Sequence, residues 1–174
     1  MTMIKVSKFD GDSGIVRDVF ARFPSGVAVL ATHSRGEKHA LVASSFMVGV
    51  SLNPCLVAVA VQKTSTTWEL IKDAGVFGVS IFGKGQGDLT RKLASKDRAA
   101  RFNEVAIEVD DSGAIFIEDA AMWLQCSTHI VSEAGDHWLI ILEVKKLGVG
   151  ENEALVWHGR KFRELAEVPS IVGA

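Results

Sequence analysis

Residues 121–147 read AMWLQCSTHIVSEAGDHWLIILEVKKL, two long apolar-rich runs joined at Ala134-Gly135-Asp136. β-Branched and aromatic residues on either side of a Gly-Asp pair describe an antiparallel hairpin. The spacing predicts strands from Ala121 to Glu133 and from His137 to Leu147. A second hairpin lies upstream. Val27 to Thr32 is a buried strand, Ser34-Arg35-Gly36-Glu37 a turn, and Lys38 to about Ser44 the return strand. Phe46 to Leu52 is extended and ends at Asn53-Pro54. Leu56 to Val61 and Val76 to Phe82 are further strands. Shorter ones are expected near Val105–Val109, Ile115–Ile117 and Leu155–Trp157. Helices do not alternate regularly with strands, which argues against a doubly wound parallel sheet. The pattern predicts a mainly β protein, an antiparallel β-barrel with flanking helices.

Three helices are expected. Ser13 caps one that runs to about Arg22, with Ile15, Val16, Val19, Phe20 and Phe23 at helical spacing and Pro24-Ser25-Gly26 as its breaker. Thr64 or Ser65 caps a second, which runs to about Asp73. The third spans Gln86 to Ala94, with Leu89 and Leu93 inward and Arg91 and Lys92 outward. Lys96 to Arg101 is a charged segment leading to Phe102, and His158-Gly159-Arg160 turns the chain into a tail. The organisation expected is an arm over residues 1–12, one domain over 13–165 and a tail over 166–174.

The chain has 174 residues, 48% of them hydrophobic, and a formal net charge of −2. That size supports one domain with a substantial core. The charge balance gives no footprint for nucleic acid or for an anionic membrane surface. Cys55 and Cys126 sit in apolar runs with no metal-ligand spacing around them, so both are read as reduced and buried, and no metal is expected. The polar N-terminus lacks an apolar signal core, and no apolar run approaches a bilayer span. A soluble cytoplasmic protein is the expectation.

Two polar segments break the apolar pattern. Val42-Ala43-Ser44-Ser45-Phe46 closes a strand, and Lys63-Thr64-Ser65-Thr66-Thr67-Trp68 opens a helix. Read alone, the first is a strand end whose hydroxyls bond backbone, and the second a helix cap. The second also suits a phosphate. Helix-start amides and the hydroxyls of Ser65, Thr66 and Thr67 donate, and Lys63 adds a point charge. His137 follows the Gly-Asp turn, where Asp136 could set its tautomer or serve only the turn.

The ordered series Phe23-Pro24-Ser25-Gly26-Val27-Ala28-Val29-Leu30, Ala43-Ser44-Ser45-Phe46, Val50-Ser51-Leu52-Asn53-Pro54 and Lys63 to Trp68 resembles the flavin reductase-like family. The series continues through Gly75-Val76-Phe77-Gly78-Val79-Ser80, Arg101-Phe102, Leu124-Gln125-Cys126 and Gly135-Asp136-His137. The resemblance runs over roughly residues 15–165. It implies a split β-barrel of antiparallel Greek-key type that binds FMN or FAD, a homodimer, and NADH or NADPH as cosubstrate. It also implies reduction of a flavin that is then released to a partner oxygenase. On this resemblance Val42 to Phe46 lie along the isoalloxazine ring, Lys63 and Ser65 to Thr67 hold the phosphate, Phe102 shapes the pocket, and His137 positions the nicotinamide. Val42 stands where threonine is common, Ser80 where asparagine is frequent and Phe162 where tyrosine is frequent. The chain has no GxGxxG fingerprint, which suits a barrel that binds nicotinamide otherwise than a Rossmann fold does. The absence of an arginine cluster for a 2′-phosphate tilts the cosubstrate toward NADH. Two rivals stay open: a flavin-binding electron carrier or sensor without turnover, and an oxidoreductase that keeps its flavin bound and acts on its own substrate.

Overall fold

The computed structural model describes residues 4, 6 and 8–167. In chain order the elements are α1 (Ser13–Phe20), β1 (Ser25–Gly26), β2 (Ala28–Ser34), β3 (Glu37–Ala43), β4 (Met47–Leu52), β5 (Cys55–Gln62), α2 (Thr66–Ile71), β6 (Phe77–Ile81), α3 (Gly87–Leu93), β7 (Ile107–Val109), β8 (Ile115–Ile117), β9 (Met122–Ala134), β10 (His137–Val149), β11 (Val156–His158) and β12 (Lys161–Arg163). The chain is mainly β, as expected. The arm and tail expected at 1–12 and 166–174 lie partly outside the described residues.

Seven strands form one sheet in the order β3-β2-β6-β9-β10-β5-β4, every pairing antiparallel. The β9–β10 hairpin is its spine. Ala134 pairs with His137 across Gly135 and Asp136, and Gly135 takes φ 62° at the first turn position, which a Cβ would disfavour. The sheet curls until the chain beyond β3 meets β5. The Ser45 hydroxyl donates to the Ala60 carbonyl at 2.7 Å and accepts from the Ala60 N–H at 3.3 Å. One side chain thus bridges a seam that no ladder closes, and the barrel is split there.

Both faces of the β2, β3 and β6 region are dry. Leu30, Leu41, Val79, Leu124, Ile140 and Leu142 face the barrel interior with Trp68 and Ile71 of α2. Alternate residues Val29, Ala31 and Ala40 face a second core with Phe82, Leu93, Ile115, Ile117 and Leu155. A strand covered on both sides reads as a continuous apolar run, which is why β2 shows no alternation. The second core brings β8 directly over β6. A Cβ on Gly78 would stand 2.0 Å from the Ile115 carbonyl oxygen.

Several boundaries differ from expectation. Asp12, not Ser13, caps α1, its carboxylate accepting from the N–H groups of Gly14 and Ile15. α1 stops at Phe20 and buries none of its residues. The segment after His158 is not a tail: β12 returns along β11, which pairs with β1. Cys55 and Cys126 are free thiols; Cys55 is only half-buried, contrary to expectation, whereas Cys126 is buried, which pushes its pKa up to about 12. Among the described residues no helix is long and apolar enough to cross a membrane.

Gly78→Ala forces β8 off β6, so urea unfolding should show a loss of about 3 kcal/mol. Gly75→Ala, with nothing within 4 Å of the new Cβ, should change stability little. Equal stability of the two variants would contradict this packing.

Candidate functional site

β3 is an edge strand of the main sheet, and its outer side is where the polar residues gather. The guanidinium of Arg101 donates through Nη1 to the Ala40 carbonyl at 2.6 Å and to Thr67 Oγ1 at 3.2 Å, and through Nε to the Ser95 carbonyl at 2.8 Å. The Ala40 carbonyl therefore points away from β2. In an antiparallel ladder residues alternate in direction, so the N–H and C=O of Val42, two residues on, point to the same open side.

A cleft of ≈ 380 Å³ opens there. Residues 41–45 form one wall, Ala60, Val61 and Gln62 of β5 the other, and Ser65 and His137 both line it beside Gln62. Five residues expected at a site converge in it: Val42, Ala43, Ser44, Ser45 and Ser65, with His137 as a sixth. Ser65 is the N-cap of α2, accepting the Trp68 N–H at 3.2 Å. Thr66 beside it is exposed. Phe46 lies in an adjoining groove of ≈ 960 Å³ with Phe20, Phe23, Met47 and Trp157.

His137 begins β10 opposite Gln62 of β5. Its side chain is 34% exposed, and Nδ1 lies 2.7 Å from Asp136 Oδ1. The hydrogen bond to His137, reinforced by attraction to its ring, holds the Asp136 carboxyl below the usual carboxylate range. A depressed folded value means the pairing is intact above the usual carboxylate range and is lost as pH falls through the lowered one. At neutral pH Asp136 is an acceptor, the tautomer with Nδ1–H is favoured, and Nε2 has no hydrogen-bond partner among the described residues.

Three other expected residues are placed elsewhere. Lys63 pairs with Glu133 at 2.9 Å and lies over the Trp138 ring at 5.1 Å. Its charge is spent on the hairpin tip, and Glu133 is held below its usual range by that contact. Thr67 is buried and accepts from Arg101. Phe102 is half-buried in the second core and lines a different cleft, of ≈ 790 Å³, with Lys38, His39, Leu70, Lys96 and Arg98. That cleft was missed in the sequence because its cations come from two distant segments, each of which reads as a solvated surface. Among the described residues no cluster of three or more His, Cys, Asp or Glu could hold a metal ion.

The arrangement can hold a flat polar ring. Small side chains at Ala43 and Ser44 leave room against an open strand edge, and Val42 supplies a donor and an acceptor in the plane of that edge. Ser65 and the His137 imidazole stand together beside Gln62.

Comparison with known proteins identifies the family and the fold. The family model described as flavin reductase like domain matches residues 20–166. A flavin reductase of Pseudomonas putida is 37% identical over 144 residues, 82% of this chain and 84% of that protein. The 4-hydroxyphenylacetate 3-monooxygenase reductase component of Thermus thermophilus is 30% identical over 150 residues, 86% of this chain and 94% of that protein. The solved NADH:FAD oxidoreductase of Streptomyces globisporus C-1027 superposes with a TM-score of 0.84 at 28% identity, covering 94% of this chain and all of that one.

Ser45→Ala removes the bridge between β3 and β5. The loss of both Ala60 contacts should cost about 1 kcal/mol in thermal unfolding and speed hydrogen exchange at the Ala60 amide. Unchanged exchange there would show that the seam closes without the hydroxyl.

Proposed function

The chain belongs to the flavin reductase-like family, and on that premise we propose that it is an NAD(P)H-dependent flavin reductase which supplies reduced flavin to a partner monooxygenase. The observation that carries the site is the convergence of the open β3 edge, Ser65 and His137 in one cleft. The residues present fit a flavin. Val42 offers backbone groups to the polar edge of the ring, and Ala43 and Ser44 let it approach. Ser65, Thr66 and the amides beside them would hold the phosphate. Lys63 and Thr67 hold the walls rather than the ligand, through Glu133 and Arg101 respectively. Ser45 does the same through Ala60.

A flavin held there would supply the hydride-accepting chemistry, which asks no acid or base of the protein. The protein's task is to stack two rings at short range. His137, held by Asp136, presents Nε2 as an acceptor for the carboxamide N–H of the nicotinamide. Steady oxidation of NADH or NADPH on addition of FMN or FAD, with flavin released on gel filtration, tests the activity. A protein that retains its flavin and turns over no NAD(P)H would be a carrier instead. A reaction that draws on the NAD(P)H pool supports a cytoplasmic location.

We further infer a homodimer. Met47, Val48, Val50 and Leu52 are all exposed on β4, itself an edge strand, and Ile130, Val131 and Leu139 are exposed on the hairpin. An apolar sheet edge of this kind is a pairing surface. Light scattering should return twice the chain mass; a monomer that still binds flavin would contradict it.

His137→Ala should lower kcat/KM for NADH about tenfold, the scale of one lost hydrogen bond, with flavin affinity and Tm unchanged. His137→Asn should recover part of the loss. A fall in Tm together with flavin affinity would mark the ring as structural, and unchanged NADH kinetics would remove it from the site.

A further inference from the structure

Gln62 is the last residue of β5, and its exposed side chain lines the ring cleft. A glutamine at a strand end is ordinarily no more than a solvated side chain. This one is held in place by its neighbours. It stands directly opposite His137 in the β5–β10 ladder, so the two side chains leave the sheet on the same face, with Cβ atoms about 5 Å apart. Its carbonyl accepts the Ser65 N–H at 2.9 Å, and the N–H of the next residue, Lys63, donates to the Asp136 carbonyl at 3.0 Å. The backbone is thus pinned on both sides. The Gln62 carboxamide and His137 Nε2 nonetheless have no hydrogen-bond partner among the described residues.

The charges nearest this pair are already engaged: Lys63 with Glu133, and Asp136 with the imidazole itself. In the tautomer that Asp136 sets, Nε2 of His137 accepts, whereas the Gln62 carboxamide can donate through Nε2. An acceptor and a donor side by side, with the neighbouring charges taken up, match a neutral primary amide, which carries its N–H and its C=O on one carbon. Ser65 meets only the Gln62 carbonyl, which lies in the plane of the sheet, while a strand side chain stands roughly perpendicular to that plane. The carboxamide therefore belongs with the imidazole and not with the helix cap. The polar edge of a flavin is served by Val42 on the opposite wall.

We propose that Gln62 is a specificity-determining residue for the cosubstrate, its carboxamide donating to the carbonyl of the nicotinamide amide while His137 accepts the amide N–H. The inference rests on the placement of the nicotinamide at His137. One contact at His137 would leave the amide free to turn. A second, from the adjacent strand, selects a group that has both an N–H and a C=O and fixes the rotation of the ring that carries it, which direct transfer between stacked rings demands.

The test is equilibrium binding without turnover. Calorimetry on the full-length, FMN-loaded protein measures affinity for NAD+ and for 3-acetylpyridine adenine dinucleotide, in which a methyl group replaces the amide nitrogen and the C=O is kept. Gln62→Met keeps the length of the side chain and removes its donor; the position is exposed, so the fold is not at risk. Gln62→Met should weaken both dinucleotides about fivefold, the scale of one hydrogen bond, with FMN affinity held. His137→Ala should weaken NAD+ by a similar factor and the analogue hardly at all, because the analogue has no N–H to lose. If His137→Ala behaves so and Gln62→Met leaves NAD+ affinity unchanged, the proposal fails and the nicotinamide reading stands. If neither variant alters NAD+ affinity, both fail. A loss of FMN affinity in Gln62→Met assigns the side chain to the flavin and overturns the proposal. A loss for NAD+ without one for the analogue makes Gln62 an acceptor and likewise overturns it.

Discussion

Everything at this site depends on one strand edge being left open. β3 ends the main sheet, and the backbone groups on its outer side must find partners or remain exposed to water. Two of the closures are side-chain hydrogen bonds. Arg101 takes the Ala40 carbonyl, and Ser45 bridges to Ala60 just beyond the strand. Between them the N–H and C=O of Val42 stay available. A ladder continued here would make a closed barrel with no place for a planar ligand.

An open edge is ordinarily soft and prone to pairing. Here it is stiffened from behind. Leu41 and Ala43 pack into the barrel interior while Ala40 and Val42 pack into the second core. The strand is thus fixed on both faces and free on one side only. Two-sided burial is also what demands glycine at position 78, where β8 crosses β6 too closely for any side chain. The distant hairpin serves the same site, because pairing of β10 with β5 sets His137 opposite Gln62 at the end of the cleft.

The hairpins were legible in the sequence because their turns are chemically explicit. Gly135-Asp136 and Arg35-Gly36 both close two-residue loops. Ser65 as a cap was legible for the same reason. The short strands β1 and β12 were not, since Ser25-Gly26 and Lys161-Phe162-Arg163 carry no apolar run. α1 misled in another way: its apolar spacing is regular, yet Phe20 is 71% exposed, because periodicity reports a face and not what covers it. Lys63 and Thr67 matched a phosphate site on local composition. Their actual partners, Glu133 and Arg101, lie 70 and 34 residues away, beyond any local pattern. The basic cleft escaped notice for the same reason.

Amide chemical-shift mapping on 15N-labelled protein, titrated with riboflavin and then with FMN, tests the central claim most directly. The account predicts that riboflavin shifts the amides of Val42 to Ser45, and that FMN adds shifts at Ser65 and Thr66. Shifts confined instead to the small cleft on the far side of the β9–β10 hairpin, lined by Trp123 and Leu147, would contradict it.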